Sequence, residues 1–159
     1  MAESTPAFDP LPKPPAGAPN VVLVVLDDLG FAQLGCFGSD IATPAIDGVA
    51  AAGVRLNRFH VTALCSPTRA CLLTGRNHHA VGVSMVAEWD AGFPGARSRI
   101  TPAAATLAQV LRDAGYSTLH VGKWHLAPPH EQTQVGPFHN WPLGKGFERS
   151  YGFLQGWTD

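Results

Sequence analysis

Residues Asn20–Gly30 read NVVLVVLDDLG. Six apolar residues in a row, Val21–Leu26, end in two aspartates and a glycine. The run is too short for a membrane span, and its valines favour an extended backbone. An apolar run without alternation is a strand buried on both faces, as in a parallel sheet. Working outward, Ala42–Val54 reads as a short helix, with Thr43 as N-cap, Pro44 in the first turn and Gly53 at the end. Val54–Val61 partly alternates and predicts a strand. A helix is expected from Ser66 or Pro67 to Leu73, stopped near Gly75. In Thr101–Tyr116, Leu107, Val110, Leu111 and Ala114 share one face, so a helix capped by Thr101 and started by Pro102 is expected to close at Gly115. Tyr116–Gly122 returns as a strand, and beyond Pro128 the pattern dissolves into Pro, Gly and aromatic residues. This alternation predicts an α/β fold with a mostly parallel sheet flanked by helices.

The chain has 159 residues, 45% hydrophobic and 14% charged, which is a globular composition and not a disordered one. Its formal net charge of −1 and the lack of basic runs argue against a nucleic-acid partner. Residues 1–19, MAESTPAFDPLPKPPAGAP, read as an extended Pro-rich arm. No secretory apolar core precedes residue 20, so a cytoplasmic location without a membrane partner is expected. The 3 cysteines show no C-x-x-C spacing and are too few for a disulfide framework. A Cys65–Cys71 bridge would have poor geometry if a helix starts near Pro67.

Three places carry chemistry. Asp27 and Asp28 follow a strand, where α/β sheets bind ligands. Adjacent carboxylates repel unless a positive charge neutralises them, and their oxygens suit Ca2+ or Mg2+. An Asp-rich turn is the plainer reading of the pair alone. In LCSPTRACLLTGR, Leu64–Arg76, Cys65 precedes a helix start and Arg69 lies at i+4, so both can face one anion. Cys71, among Ala70, Leu72 and Leu73, reads as a buried thiol. In GKWHL, Gly122–Leu126, Lys123 and His125 alternate at a strand end, a fixed cation beside a titratable imidazole. His78 and His79 are adjacent and read as structural or supporting, while His60, His120, His130 and His139 lack supporting partners in the sequence.

Taken together these stretches resemble the sulfatase family of the alkaline-phosphatase superfamily. Cys65-Ser66-Pro67-Thr68-Arg69 matches C-x-P-x-R and continues into LLTGR; Gly115–Leu126, GYSTLHVGKWHL, matches a second signature. Asn20–Gly30 matches the metal-binding strand, and Gly146–Phe153, GFERSYGF, recurs in the family. TGRNHHAVGV and AGFPG look closest to bacterial arylsulfatases. The resemblance implies an arylsulfatase-type sulfuric ester hydrolase of alkaline-phosphatase-like fold. A formylglycine-generating maturation enzyme would oxidise Cys65 to the aldehyde formylglycine. As a geminal diol, that group attacks the sulfur of a sulfate ester, the alcohol leaves, and collapse back to the aldehyde then expels sulfate. By the same resemblance Asp27, Asp28 and modified Cys65 are ligands of Ca2+ (with Mg2+ as the alternative), Arg69 supports the formylglycine, Lys123 binds sulfate oxygens and His125 hydrogen-bonds the diol.

The resemblance covers residues 20–159 as the N-terminal part of a sulfatase catalytic domain. Nothing after Leu126 matches the family's later Asp-Asn metal pair, its second histidine or its further lysine. The expectation is an incomplete fold, inactive alone. Two other readings stay open: a phosphonate monoester hydrolase or phosphodiesterase of the same superfamily, and a non-catalytic remnant module.

Overall fold

The computed structural model describes residues 4–158. Residues 1–3 of the expected arm, and residue 159, lie outside the described residues. Among the described residues three α-helices precede two strands, with short 3-10 turns between them: α1 is Pro44–Ala52, α2 Cys65–Thr74 and α3 Leu107–Asp113; β1 is Leu119–Lys123 and β2 Arg149–Phe153. β1 and β2 pair in parallel with Leu119 opposite Arg149 and Lys123 opposite Phe153. The pairing continues past β1, where Trp124 and His125 donate their N–H groups to the carbonyls of Phe153 (2.9 Å) and Leu154 (3.1 Å). The architecture is α/β, with a small parallel sheet beside helices.

Local chemistry explains the helix ends. Pro44 opens α1 after Thr43, as its fixed φ and missing N–H allow. The α2 helix stops at Gly75, which takes the left-handed conformation and donates its N–H to the Cys71 carbonyl at 2.8 Å. The α3 helix starts later than expected. Thr101 and Pro102 lie in a turn, and Thr106 is the cap: its Oγ1 accepts from Gln109 N (3.2 Å), and Gln109 Oε1 accepts from Thr106 N (2.8 Å). This reciprocal Thr-x-x-Gln box satisfies two N–H groups that Thr101 would leave open. Past its other end, Gly115 has φ +89, and a Cβ there would run into the Lys13 backbone, which crosses it.

Two expected strands are absent among the described residues. Val21–Leu26 is unpaired and exposed, with Val22 at 85% and Val24 at 74%. Val54–Val61 likewise forms no strand. Their apolar patterns ask for burial, but the sheet here has only β1 and β2, so neither run finds a ladder. The opposite correction falls on Arg149–Phe153, a strand in a region whose pattern gave none. Its exposed, polar and Gly-containing sequence hides it, and pairing to β1 defines it.

The core gathers Ala70, Val81, Val83, Ile100, Trp124 and Leu126, with Phe147 and Leu154 packed against it. The polar groups buried beside Trp124 are paired. Trp124 Nε1 donates to the Asn140 carbonyl at 2.7 Å, and Asn140 Nδ2 donates to both oxygens of buried Glu131 at 2.9 and 2.8 Å. No helix among the described residues is long and apolar enough to cross a membrane.

Candidate active site

The first turn of α2 and the end of β1 meet face to face. Cys65 is the first residue of α2, behind Leu64 as N-cap. Pro67 falls in that turn, where its missing N–H costs nothing. The three cysteines are free thiols, so Cys65–Cys71 is not a bridge. Cys65 Sγ lies 3.0 Å from His125 Nδ1. The other ring nitrogen, Nε2, lies 3.0 and 2.9 Å from the two carboxylate oxygens of Glu88. His125 is buried, 3% exposed, and has a positive φ of 55°, rare outside glycine. That backbone turn ends the strand alternation expected for Lys123 and His125, yet both side chains still reach one site.

Beside the cysteine lies a charged cluster. Arg69 Nη1 donates to the Lys123 carbonyl at 2.5 Å, and Nη2 lies 3.5 Å from Asp27 Oδ1. Lys123 Nζ donates to Asp27 Oδ2 at 2.6 Å. Partial burial pushes the Asp27 carboxyl up, but the Lys123 hydrogen bond and the Lys123 and Arg69 charges outweigh it and hold the group below the ordinary carboxylate value. These two cations are the neutralising charge that adjacent aspartates require. Arg69 keeps one donor, Nε, buried with no hydrogen-bond partner among the described residues.

Behind Lys123, His120 lies 3.0 Å from Ser150 Oγ and 3.4 Å from the Lys123 carbonyl. Burial holds its pKa below the usual histidine value, with Arg69 acting in the same direction and the Lys123 carbonyl against it. Of the neighbouring histidine pair, His78 binds the Val83 carbonyl at 2.6 Å and its ring lies 4.1 Å from that of His79, an internal tie and not a ligand pair.

The structure thus brings together Asp27, Cys65, Arg69, Lys123 and His125. Asp28, with φ 54°, makes no hydrogen bond or ion pair among the described residues. Sequence reading missed Glu88 and the part played by Ser66. Ser66 is fully buried; its Oγ donates to the His125 carbonyl at 2.6 Å and accepts from Ala87 N at 3.1 Å. The C-x-P-x-R pattern leaves that position open, and Glu88 sits in a loop without a local signature.

The donors at Asp27 and Asp28 are of the oxygen type that Ca2+ prefers, but their number does not fit. Among the described residues no group of three or more His, Cys, Asp or Glu is placed to hold a metal ion, and Asp27 is engaged by Lys123 and Arg69. A Ca2+ ion takes about six to eight oxygens, more than these two carboxylates supply.

Known proteins match this frame over most of the chain. An arylsulfatase of Klebsiella aerogenes is 32% identical over 88% of this chain. Human steryl-sulfatase is 39% identical over 86%, and an uncharacterized sulfatase of Schizosaccharomyces pombe 38% over 87%. The chain spans about a quarter of the length of these relatives: 29%, 24% and 25% respectively. The solved structure of Ps i-CgsB superposes with a TM-score of 0.70 at 34% identity, over 87% of this chain and 28% of that one. The sulfatase family model matches residues 19–158, and on that match, which takes in the Cys65, Lys123 and His125 segments, the chain belongs to the sulfatase family.

Proposed function

We propose that this chain carries the nucleophile and the proton-handling half of a sulfuric ester hydrolase of arylsulfatase type. One observation carries the reading: Cys65, inside C-x-P-x-R, opens α2 with its Sγ 3.0 Å from His125 Nδ1 and with Arg69 and Lys123 alongside. In this proposal a maturation enzyme converts Cys65 to formylglycine, which as its hydrate supplies one hydroxyl to attack sulfur and a second to let sulfate go. The Sγ position then stands for the oxygens of that hydrate.

The chain's own residues do the rest. His125 Nδ1 faces the atom at position 65 and is placed to take a proton from it and return it. Its Nε2 rests on the Glu88 carboxylate, which stabilises the imidazolium formed when that proton arrives. Arg69 and Lys123 set positive charge beside the nucleophile, where a sulfate ester brings negative oxygens. Asp27 and Asp28 are proposed as two carboxylates of a Ca2+ or Mg2+ site whose other oxygens come from outside this chain; the cation would stabilise charge on the sulfuryl oxygens.

The test is hydrolysis of an aryl sulfate by the full-length gene product made together with the maturation enzyme. Turnover that disappears in Cys65→Ala and falls sharply in His125→Ala supports the reading. Full turnover in Cys65→Ala would sink it. A matched phosphate diester in the same assay decides between sulfur and phosphorus.

A further inference from the structure

We infer that Glu88 is the positioning residue for His125, selecting the ring orientation that turns Nδ1 toward residue 65. Its consequence for turnover rests on the proposed sulfuric ester chemistry, whereas its effect on the ring does not. An imidazole buried at 3% exposure has two orientations related by a half-turn about its Cβ–Cγ bond. In one, Nδ1 faces the Cys65 sulfur and Nε2 faces Glu88; in the other, ring carbons take both places. The two Glu88 oxygens, at 3.0 and 2.9 Å from Nε2, favour the first orientation and fix the proton on Nε2, leaving the Nδ1 lone pair for residue 65. Among the described residues Glu88 makes no other side-chain hydrogen bond or ion pair, so its carboxylate is committed to this ring. Its side chain remains 34% exposed, so water keeps the charged form inexpensive.

The surroundings reinforce the same orientation. The Ser66 hydroxyl ties the backbone of Ala87, next to Glu88, to the carbonyl of His125, and Ser66 itself follows Cys65. One buried hydroxyl therefore holds all three members of the Glu88–His125–Cys65 line in register. Gly156 closes the ring's side: a Cβ there would come within 2.8 Å of Cε1 and 2.9 Å of Nε2. The ring is confined, and Glu88 supplies the directional contact on its Nε2 side.

The test uses the unmodified chain, because the Cys65 thiol itself reports whether Nδ1 faces it. Iodoacetamide alkylation at one fixed neutral pH is followed by tryptic mass spectrometry. The three cysteines fall in separate peptides, residues 1–55, 59–69 and 70–76. In Glu88→Ala the Cys65 rate falls several-fold while Cys36 and Cys71 keep theirs. An unchanged Cys65 rate with the other two unchanged overturns the inference. If all three rates shift, the fold has been disturbed, and Glu88→Gln, which keeps the shape and removes the charge, decides by the same two outcomes. In the mature full-length enzyme Glu88→Gln lowers kcat about tenfold with KM little changed. A wild-type protein without sulfatase turnover would refute the proposed function and leave the alkylation result standing.

Discussion

Replacing Ser66 with alanine separates two roles that the C-x-P-x-R motif superimposes. Ser66 is fully buried, and its hydroxyl makes two hydrogen bonds to backbone, donating to the His125 carbonyl at 2.6 Å and accepting from Ala87 N at 3.1 Å. Alanine leaves both backbone groups buried without a partner. Each such group costs about 1–3 kcal/mol, and partial relaxation toward water trims the pair to about 2–4 kcal/mol. Native domains are stable by only about 5–15 kcal/mol, so this is a large share of the whole. With a urea slope of about 2 kcal/mol per molar, the unfolding midpoint drops by about 1–2 M. Tryptophan fluorescence reads it, since Trp124 lies in the core. In the proposed maturation the C-x-P-x-R pattern leaves position 66 open, so conversion of Cys65 is expected to proceed normally in the same variant. A midpoint shift below about 0.3 M would refute the argument that this hydroxyl pins the α2 start to the His125 turn.

Three further outcomes follow from the site. The folded pKa of Asp27 is lowered by Lys123 and Arg69 against the effect of burial, so its contribution to stability is present above the unfolded value of about 3.9 and is lost as pH falls through the folded value. Urea midpoints taken down an acid series should therefore fall less steeply in Asp27→Asn than in wild type, and parallel curves would count against the ion pairs. Gly156→Ala places a methyl against the His125 ring and should slow Cys65 alkylation several-fold, with Cys36 as internal control; an unchanged rate would mean that residues 154–158 do not back the ring. Calorimetric titration of the 159-residue chain should show no Ca2+ site tighter than about 0.1 mM, because two carboxylates do not complete the shell; micromolar binding would show that the chain holds a site of its own.

Where a few neighbouring residues set the outcome, the sequence sufficed. Thr43-Pro44 and Gly53 bound α1, Gly75 ends α2, and Leu119–Lys123 is extended as its pattern suggests. Cys65, Arg69, Lys123, His125 and Asp27 were each legible, because each sits at a helix start or beyond an apolar run. Most of the failures share a physical cause: they depend on partners distant in the chain. Val21–Leu26 has the composition of a buried strand, but composition does not name the neighbour it pairs with. Arg149–Phe153 is a strand only because β1 lies beside it. Two threonines competed for the α3 cap, and Thr106 prevails through Gln109, a signal that was present in the sequence and readable. Glu88 meets His125 across 37 residues, and nothing within its own loop announces the contact.

The account turns on the fate of Cys65, and its most direct measurement is the mass of the tryptic peptide Phe59–Arg69, FHVTALCSPTR, after co-expression with a formylglycine-generating enzyme. Cys65 is the only cysteine in that peptide, so the loss of mass from thiol to aldehyde has a single source. Conversion to the aldehyde is the predicted result. A peptide that keeps its thiol beside an active maturation enzyme would contradict the formylglycine mechanism for this chain.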